Sequence, residues 1–243
     1  MQQALRFSTH LKKQAKKIKE IRSGKRTRLL LLASAAELLD KHNLKDLHVS
    51  SIRNPVKASQ GTFYIYFKDK YDLATQLFED YIEFEMRSMP SSDSFSDEYE
   101  MSIKINNWYA DMFQANVGIM RSFIQLNESS PEVTALWQLR GNKIVSRILE
   151  FCDNHYQLDS KELDAIRKSC HIMGNSLDRI LSSMYGTTAH PEFSHKDDRK
   201  QVVELFSTLI VRAIFGKSPK ISAASPAKVL TDTKLKRKKV ARK

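Results

Sequence analysis

The residues of this chain best suited to chemistry are its two cysteines and the histidines beside them. Cys152 and His155 are three positions apart, so they can share one face of a helix, and Cys170 directly precedes His171. A cysteine nucleophile needs a base and a third group that orients the base, and neither that group nor an oxyanion loop can be identified. The motifs GxGxxG, GxxxxGK[ST], GxSxG and HExxH are all absent from the sequence. We therefore predict that the protein is not an enzyme and that it has no cofactor and no metal site.

Charge divides the chain into an acidic body and two basic ends. Residues 1–28 carry ten Lys and Arg against one Glu, and residues 217–243 carry ten against one Asp. The central segment, 29–216, has a net charge of −6, although the whole chain has +12. A polyanion is attracted to the ends and repelled by the body, which favours a protein that holds nucleic acid at one pole. Membrane-surface association of the N-terminal segment is the alternative, and it is not favoured.

Composition excludes several other classes of protein. With 41% hydrophobic and 28% charged residues, the chain is too apolar for a disordered polar tail protein. Its longest apolar run, residues 29–33, is far shorter than the roughly 20 residues of a membrane span. No apolar segment follows the first basic residues as in a secretory signal, so we expect a cytoplasmic protein with two buried thiols.

Apolar residues recur at helical spacing along most of the chain, and no alternating strand pattern of useful length is present. We therefore predict an all-α fold. The spacing predicts helices at 4–22, 29–39, from 72 onward, and at 98–116, 119–126, 131–153, 160–185 and 197–215. The first of these is expected to end at Gly24.

The most specific pattern lies between Lys25 and Leu73. After short helical pieces come Ser59, then Gly61-Thr62-Phe63-Tyr64-x-Tyr66-Phe67, then Asp69-Lys70. This segment resembles the DNA-binding domain of the TetR family of bacterial transcriptional regulators, in which an aromatic run and a Lys follow a helix-turn-helix. The resemblance implies an all-α protein with a three-helix DNA-binding domain at 25–71 and a helical effector-binding and dimerisation domain at 72–216. A basic extension at 1–24 and a flexible basic tail at 217–243 complete the predicted organisation.

The same block predicts which residues contact DNA. A recognition helix presents its N-terminal residues to base edges in a major groove about 12 Å wide, so Ser59, Gln60 and Thr62 are the expected readers. Gln60 can pair with adenine through two hydrogen bonds, and Gly61 lets the backbone approach the duplex closely. Phosphate contacts, which position without specifying sequence, are expected at five residues: Tyr64, Tyr66, Lys70, Arg53 and Lys57.

Three residues depart from the family pattern before the recognition helix. Lys57 occupies the turn position where Gly is usual, and a positive φ there costs about 1 kcal/mol. Pro55 removes an amide donor inside a short helix, and His48 is a poor N-cap. We therefore expect the second helix to be short or displaced.

Two C-terminal helices have the pattern expected of a dimer interface. Apolar residues between 163 and 184 alternate steps of three and four, and helix 197–215 has an apolar stripe wide enough for two neighbours. We predict a four-helix interface between two subunits, with burial inside one subunit as the alternative. Its expected residues are Leu163, Ile166, Met173, Leu177, Ile180, Met184, Phe206, Leu209, Ile210 and Ala213.

A pocket for a small apolar effector is harder to locate from the sequence. The predicted lining consists of aromatic residues and methionines at helical spacing, although residues of these types at such spacing are more often plain core. These residues are Trp108, Tyr109, Met112, Phe113, Met120, Phe123 and Trp137.

Together these patterns predict a sequence-specific regulator, a homodimeric repressor that binds a pseudo-palindromic operator in double-stranded DNA and responds to a small effector or another signal. The alternative is a largely nonspecific or DNA-compacting protein that uses its basic ends. Sequence dependence of binding distinguishes the two.

Overall fold

The computed structural model describes residues 5–18, 24–186 and 199–217, together with Phe193, Lys220 and Ser225. Ten α-helices are described in these residues, and they confirm the predicted all-α fold. They are α1 (Phe7–Lys17), α2 (Gly24–Leu39), α3 (Val49–Arg53), α4 (Gln60–Tyr66), α5 (Lys70–Ser88), α6 (Glu98–Ala115), α7 (Val117–Asn127), α8 (Pro131–His155), α9 (Ser160–Tyr185) and α10 (Arg199–Phe215). None of these helices is long and apolar enough to cross a membrane.

Helix α1 is part of the protein core. It buries Phe7, Leu11 and Ala15 against the helices that follow, and the Phe7 ring meets the ring of Tyr81 edge-on at 5.6 Å. The backbone amide of Phe7 donates to Oδ1 of Asn116 at 2.8 Å, which fixes the start of the helix. The apolar face of α1 is therefore occupied within the protein, so Leu11 is not available for the membrane alternative.

The prediction that Gly24 ends the first helix is wrong. Helix α1 ends at Lys17, and Gly24 is the first residue of α2. A Cβ at Gly24 would lie 2.8 Å from the hydroxyl oxygen of Tyr66, so the end of that side chain packs closely on the bare backbone. Residues 19–23 of the predicted helix and most of the basic tail lie outside the described residues.

Helices α5 to α10 form the larger part of the molecule around aromatic contacts. The rings of Phe78 and Phe123 stack at a centroid distance of 4.4 Å, and Trp137 meets Phe123 edge-on at 5.1 Å. These contacts join α5, α7 and α8, so the helix that follows the predicted DNA-binding segment is anchored in the larger domain.

Helix α7 docks directly onto the end of α2. A Cβ on Gly118 would lie 2.4 Å from the backbone of Leu39 and Asp40, so only glycine permits this approach. The guanidinium of Arg121 donates to the carbonyl oxygen of Leu39 and, at 3.0 Å, to that of His42. Those carbonyls belong to the C-terminal end of α2 and the residues just after it, which have no partners within the helix.

The regular seam on α9 faces mostly into its own subunit. Leu177 and Met184 are buried in the main core, and so is Phe206 of α10. A second group is half-buried and packs on the core: Leu163, Ile166, Met173, Ile180 and Ile210. Because α9 packs against α6, α7, α8 and α10, its apolar stripe is used within the chain. Leu177, Met184 and Phe206 are therefore core residues and not intersubunit contacts. For the half-buried residues, and for the exposed Leu209 and Ala213, the intersubunit contact stays a prediction.

Candidate nucleic-acid interface

The helix before the turn is short, as the departures from the family pattern predicted. Helix α3 spans five residues and continues as a single 3-10 turn at Asn54–Val56, where Pro55 sits at the start and needs no amide donor. His48 is the N-cap residue and makes no capping bond through its side chain. The helix keeps its place because Ile52 is fully buried.

The turn itself has the left-handed backbone that the family pattern implies. Lys57 has φ 56° and ψ 32°, and it is the one non-glycine residue with positive φ among those described. Two bonds close the turn around it. The amide of Ala58 donates to the carbonyl of Arg53 at 3.2 Å, and the Arg53 guanidinium donates to the carbonyl of Ala58 at 3.3 Å. Arg53 thus stabilises the turn, while Lys57 is exposed.

Helix α4 begins with a side-chain cap. The hydroxyl oxygen of Ser59 accepts the backbone N–H of Thr62 at 3.0 Å, and the two hydroxyls lie 2.8 Å apart. A serine N-cap stabilises a helix by about 1 kcal/mol. Ser59 and Thr62, two of the three predicted base readers, therefore take part in capping the helix. Their hydroxyls can contact a base only in addition to these hydrogen bonds or by replacing them.

One face of α4 is buried and the opposite face is open. Phe63 is completely buried and fixes the rotation of the helix. Gln60 and Gly61 are exposed at its first turn, and a Cβ on Gly61 would meet only the Ser59 hydroxyl, at 3.9 Å. Tyr64 is 50% exposed and Ile65 76% exposed. The open face thus offers an amide side chain, a phenol and an aliphatic side chain next to a bare backbone.

Tyr66 and Lys70 lie at the end of this unit and are partly occupied. The Tyr66 hydroxyl lies against Gly24 at the start of α2. The Lys70 ammonium donates to the backbone carbonyls of Lys45, at 2.5 Å, and Leu47, at 2.9 Å. Lys70 therefore joins the start of α5 to the segment before α3. Two of its three N–H donors are used in this way, and its phosphate contact stays a prediction.

Two further residues near α4 were not singled out from the sequence. Lys25 is exposed on the first turn of α2, beside the glycine that contacts Tyr66. Arg28, one turn later, is instead bound to α5: its guanidinium donates to Gln76 at 2.8 Å and to Asp80 at 3.0 Å. The local charge favours an anion, since residues 41–70 hold six Lys and Arg against two Asp.

A second candidate site is a cavity of about 660 Å³ between α6, α8, α9 and α10. Of the seven residues predicted to line an effector pocket, Tyr109 and Trp137 do line it. The other five are buried in the core and do not line this cavity: Trp108, Met112, Phe113, Met120 and Phe123. Helical spacing identifies a buried side chain, but it does not show where neighbouring helices diverge to leave space.

A buried polar cluster forms one part of the cavity wall. Arg140 donates twice to the Glu85 carboxylate, from Nε and Nη2, each at 2.7 Å, and the two side chains are 3% and 0% exposed. The guanidinium lies over the rings of Tyr109, at 5.0 Å, and Trp137, at 5.3 Å. The Tyr109 hydroxyl donates to the carboxylate of Asp178. Burial raises the pKa of Asp178 to about 6, against the opposing effects of Arg140 and the Tyr109 hydrogen bond.

Comparison with solved structures identifies the architecture. The chain is similar to a crystal structure from Syntrophomonas wolfei that is described as a candidate TetR-family transcriptional regulator. The similarity covers 80% of this chain and 97% of that one, with a TM-score of 0.59 and 16% sequence identity. The chain has the TetR-family fold. No family model matches the sequence, and no curated protein matches it.

Within this TetR-family fold, the cysteine and histidine pair does not assemble into a nucleophile. Nδ1 of His155 lies 2.9 Å from the carbonyl oxygen of Phe151 and not against the thiol. Burial raises the pKa of Cys152 to about 11 and that of Cys170 to about 12, so both thiols stay protonated at neutral pH. No group of three or more metal-ligating side chains occurs in the part of the chain that the structure describes.

Proposed function

We propose that the protein is a sequence-specific DNA-binding transcriptional regulator, a dimeric repressor whose operator binding responds to a small molecule. The observation that carries this proposal is the open face of α4. A helix fixed by a buried Phe63 presents Gln60 at an uncrowded first turn, which is the arrangement that places a side chain against base edges. The repressor role rests on the family resemblance.

Gln60 is the best-placed base reader on this face. It is exposed, and in the described residues its side chain makes no hydrogen bond. A glutamine amide can make two hydrogen bonds with adenine in the major groove. Tyr64 and Lys25 are exposed close by and fit contacts to phosphate oxygens, which fix the position of the helix on the duplex.

Selection of bound fragments from random and genomic DNA by the purified protein tests this proposal. We expect a motif with two inverted half-sites about one or more helical turns apart, because a twofold dimer requires twofold DNA. The Gln60→Ala variant should lose preference at one position in each half-site. If the protein instead bound all DNA fragments equally well, with an affinity that fell steeply with salt concentration, the nonspecific DNA-binding alternative would be favoured.

Dimerisation is proposed through the faces of α9 and α10 that the subunit leaves open. Ile172 of α9 is 66% exposed and Leu209 of α10 is 46% exposed, although both are large and apolar. Such exposed apolar side chains on neighbouring helices are typical of a subunit interface.

A pair of substitutions separates interface from core. Leu209→Glu should give a folded monomer with weak operator affinity, measured by sedimentation and by operator titration. Leu177→Glu is the control, since it places a charge in the core and should unfold the subunit instead. A Leu209→Glu protein that remained dimeric would contradict this interface, and a folded monomer with full operator affinity would contradict the dimeric mode of binding.

Effector response is proposed because the cavity and the DNA-binding segment share helix α5. In the first turn of α5, Lys70 donates to the backbone carbonyl of Leu47, before α3. In the middle of α5, Asp80 accepts a hydrogen bond from Arg28 of α2. Near its end, Glu85 accepts from Arg140 of the cavity wall. A ligand that moves Arg140 or α8 therefore also acts on α5, and α5 contacts the segment that contains α4. The coupling needed is modest, about 1–3 kcal/mol for a 5- to 150-fold change in operator affinity.

A further inference from the structure

The cavity has an apolar part and a polar part. Toward the loop that joins α8 to α9 its walls are apolar, with Ile148, Cys170 and Ile214 packed in one cluster. About three turns from Ile148 along α8 lies Trp137, and about two turns from Cys170 along α9 lies Asp178. At about 660 Å³ the cavity falls within the roughly 300–1,000 Å³ typical of sites for small organic ligands.

The charge in the polar part does not balance. Arg140 is neutralised by Glu85, because two of its nitrogens donate to that carboxylate. Asp178 forms no ion pair with any residue that the structure describes, and its one hydrogen bond there comes from the Tyr109 hydroxyl. The cluster of Arg140, Glu85 and ionised Asp178 therefore has a net charge of −1 next to the empty space.

The polar part also has hydrogen-bond acceptors without donors. Oδ1 of Asn127, a cavity-lining residue on α7, is buried and has no hydrogen-bond partner. The second carboxylate oxygen of Asp178 accepts no hydrogen bond within the described chain. A buried acceptor left without a donor costs about 1–3 kcal/mol, so Oδ1 of Asn127 favours a ligand that brings an N–H group. The second Asp178 oxygen can accept a further hydrogen bond from such a group.

We propose that the cavity binds an apolar organic amine in its protonated form, with the ammonium group at Asp178 and the hydrocarbon toward Ile148 and Ile214. The ammonium supplies the positive charge that Asp178 lacks, and its N–H groups can donate to the carboxylate oxygen that accepts no hydrogen bond within the described chain. This assignment names the ligand class for the effector response proposed above and rests on that proposal for its regulatory meaning.

An anionic ligand fits the same wall less well. Its obvious partner, Arg140, already directs Nε and Nη2 to Glu85, and an anion beside it would also face the Asp178 carboxylate. A neutral apolar ligand would fill the volume but would leave the acceptors of Asp178 and Asn127 unpaired. The three ligand classes therefore have a predicted order of affinity.

The test uses three probes that share one hydrocarbon skeleton: biphenylmethylamine, biphenylmethanol and biphenylcarboxylate. Each is titrated into the full-length protein by calorimetry at neutral pH, without DNA. We expect the amine to bind about tenfold or more tightly than the alcohol, with the carboxylate weakest, because only the amine forms a charge-assisted hydrogen bond. A carboxylate that bound more tightly than the amine, or an amine that did not bind, would overturn the proposal.

Two variants assign the selectivity to one carboxylate. Asp178→Asn keeps the shape of the side chain but removes its charge, and it should reduce the amine to the affinity of the alcohol. Asp164→Asn is the matched control on the same helix, where the carboxylate is exposed and paired with Lys168, and it should change nothing. An amine preference unchanged in Asp178→Asn would overturn the assignment, and circular dichroism establishes that both variants are folded.

Operator titration with and without the amine separates this inference from the proposed function. Amine selectivity that depends on Asp178 supports the ligand assignment, whatever happens to DNA binding. If the ligand-free protein did not bind DNA sequence-specifically, the proposed function would be contradicted, but the ligand assignment for the cavity would still hold.

Discussion

The buried pair of Glu85 and Arg140 allows a quantitative test of the core of this protein. Glu85→Gln keeps the side-chain shape and removes the charge, leaving a guanidinium that is only 3% exposed without its carboxylate. Removing one partner of a buried ion pair costs about 3–5 kcal/mol, because the remaining charge is neither hydrated nor neutralised. Asp178, which already lies within electrostatic reach of Arg140, is expected to bring the loss toward the lower end of that range.

Helix α5 supplies a matched control two residues earlier. Glu83 forms an exposed pair with Arg87 at 2.9 Å, so Glu83→Gln removes the same charge from the same helix in water. Exposed pairs one helical turn apart contribute about 0.3–0.5 kcal/mol. The two substitutions should therefore differ by at least about 2 kcal/mol in the free energy of unfolding.

Urea unfolding followed by circular dichroism measures this difference, with all proteins at one concentration because association adds to apparent stability. A third protein carries Glu85→Leu together with Arg140→Met and should recover most of the stability, since two apolar side chains need no partner. If Glu85→Gln were no less stable than Glu83→Gln, the account of Arg140 as a buried, neutralised cation would be refuted. The assignment of the unbalanced charge to Asp178 would then fail with it.

Three more outcomes are expected. Gln60→Ala should cost about 1–3 kcal/mol in operator affinity and relax one base position, whereas Ser59→Ala should lower the helicity of α4 and weaken all sequences alike, as fragment selection and titration would reveal. Cys152 and Cys170 should resist a thiol reagent at pH 8 in the folded protein and react in urea, because burial raises the pKa of both thiols to about 11 and 12; fast labelling of the native protein would contradict their burial. The pKa of Asp178 is raised from 3.8 to about 6 on folding, so the stability that this group contributes is present below pH 4 and is lost as pH rises through 6. The difference in free energy of unfolding between the unmodified protein and Asp178→Asn, measured in urea, isolates this group from the others that titrate. A difference that stayed the same between pH 4 and pH 8 would contradict the shift.

Helices were predictable from this sequence because their apolar residues repeat on one face. Leu29, Leu32 and Leu39, read as one stripe, are all buried in α2. The unusual turn was also predictable, since Lys57 takes the left-handed backbone for which the family pattern uses glycine. Phe7 was missed as a core residue because it does not belong to the stripe of spaced leucines and isoleucines, and its burial depends on contacts with Tyr81 and with Asn116, far along the chain.

Roles within the candidate sites were harder to predict than the helices. Ser59 and Lys70 are residue types that serve equally as DNA contacts and as caps of backbone groups, and only the geometry shows which partners they have. The alternating seam on α9 is the same whether the helix packs inside one subunit or between two. Leu177 was expected at the dimer interface and lies in the core, whereas Ile172, outside the seam, is exposed. The spacing of apolar residues indicates that one face of a helix is buried, but it does not show whether the same subunit or a partner subunit covers that face.

The contacts of helix α5 explain why the two candidate sites belong to one mechanism under the proposed function. Lys70 and Asp80 bind the DNA-binding helices, and Glu85, one further turn along, binds the cavity wall. A helix is stiff over such a distance, so a shift at Glu85 reaches Lys70 as a rotation or translation of the whole rod. Each of these links is a charge-assisted hydrogen bond worth about 1.5–3 kcal/mol, the same size as a typical coupling energy between sites. Under the proposed function, breaking or straining one of these bonds would be sufficient for an amine in the cavity to change operator affinity, without a larger rearrangement of the fold.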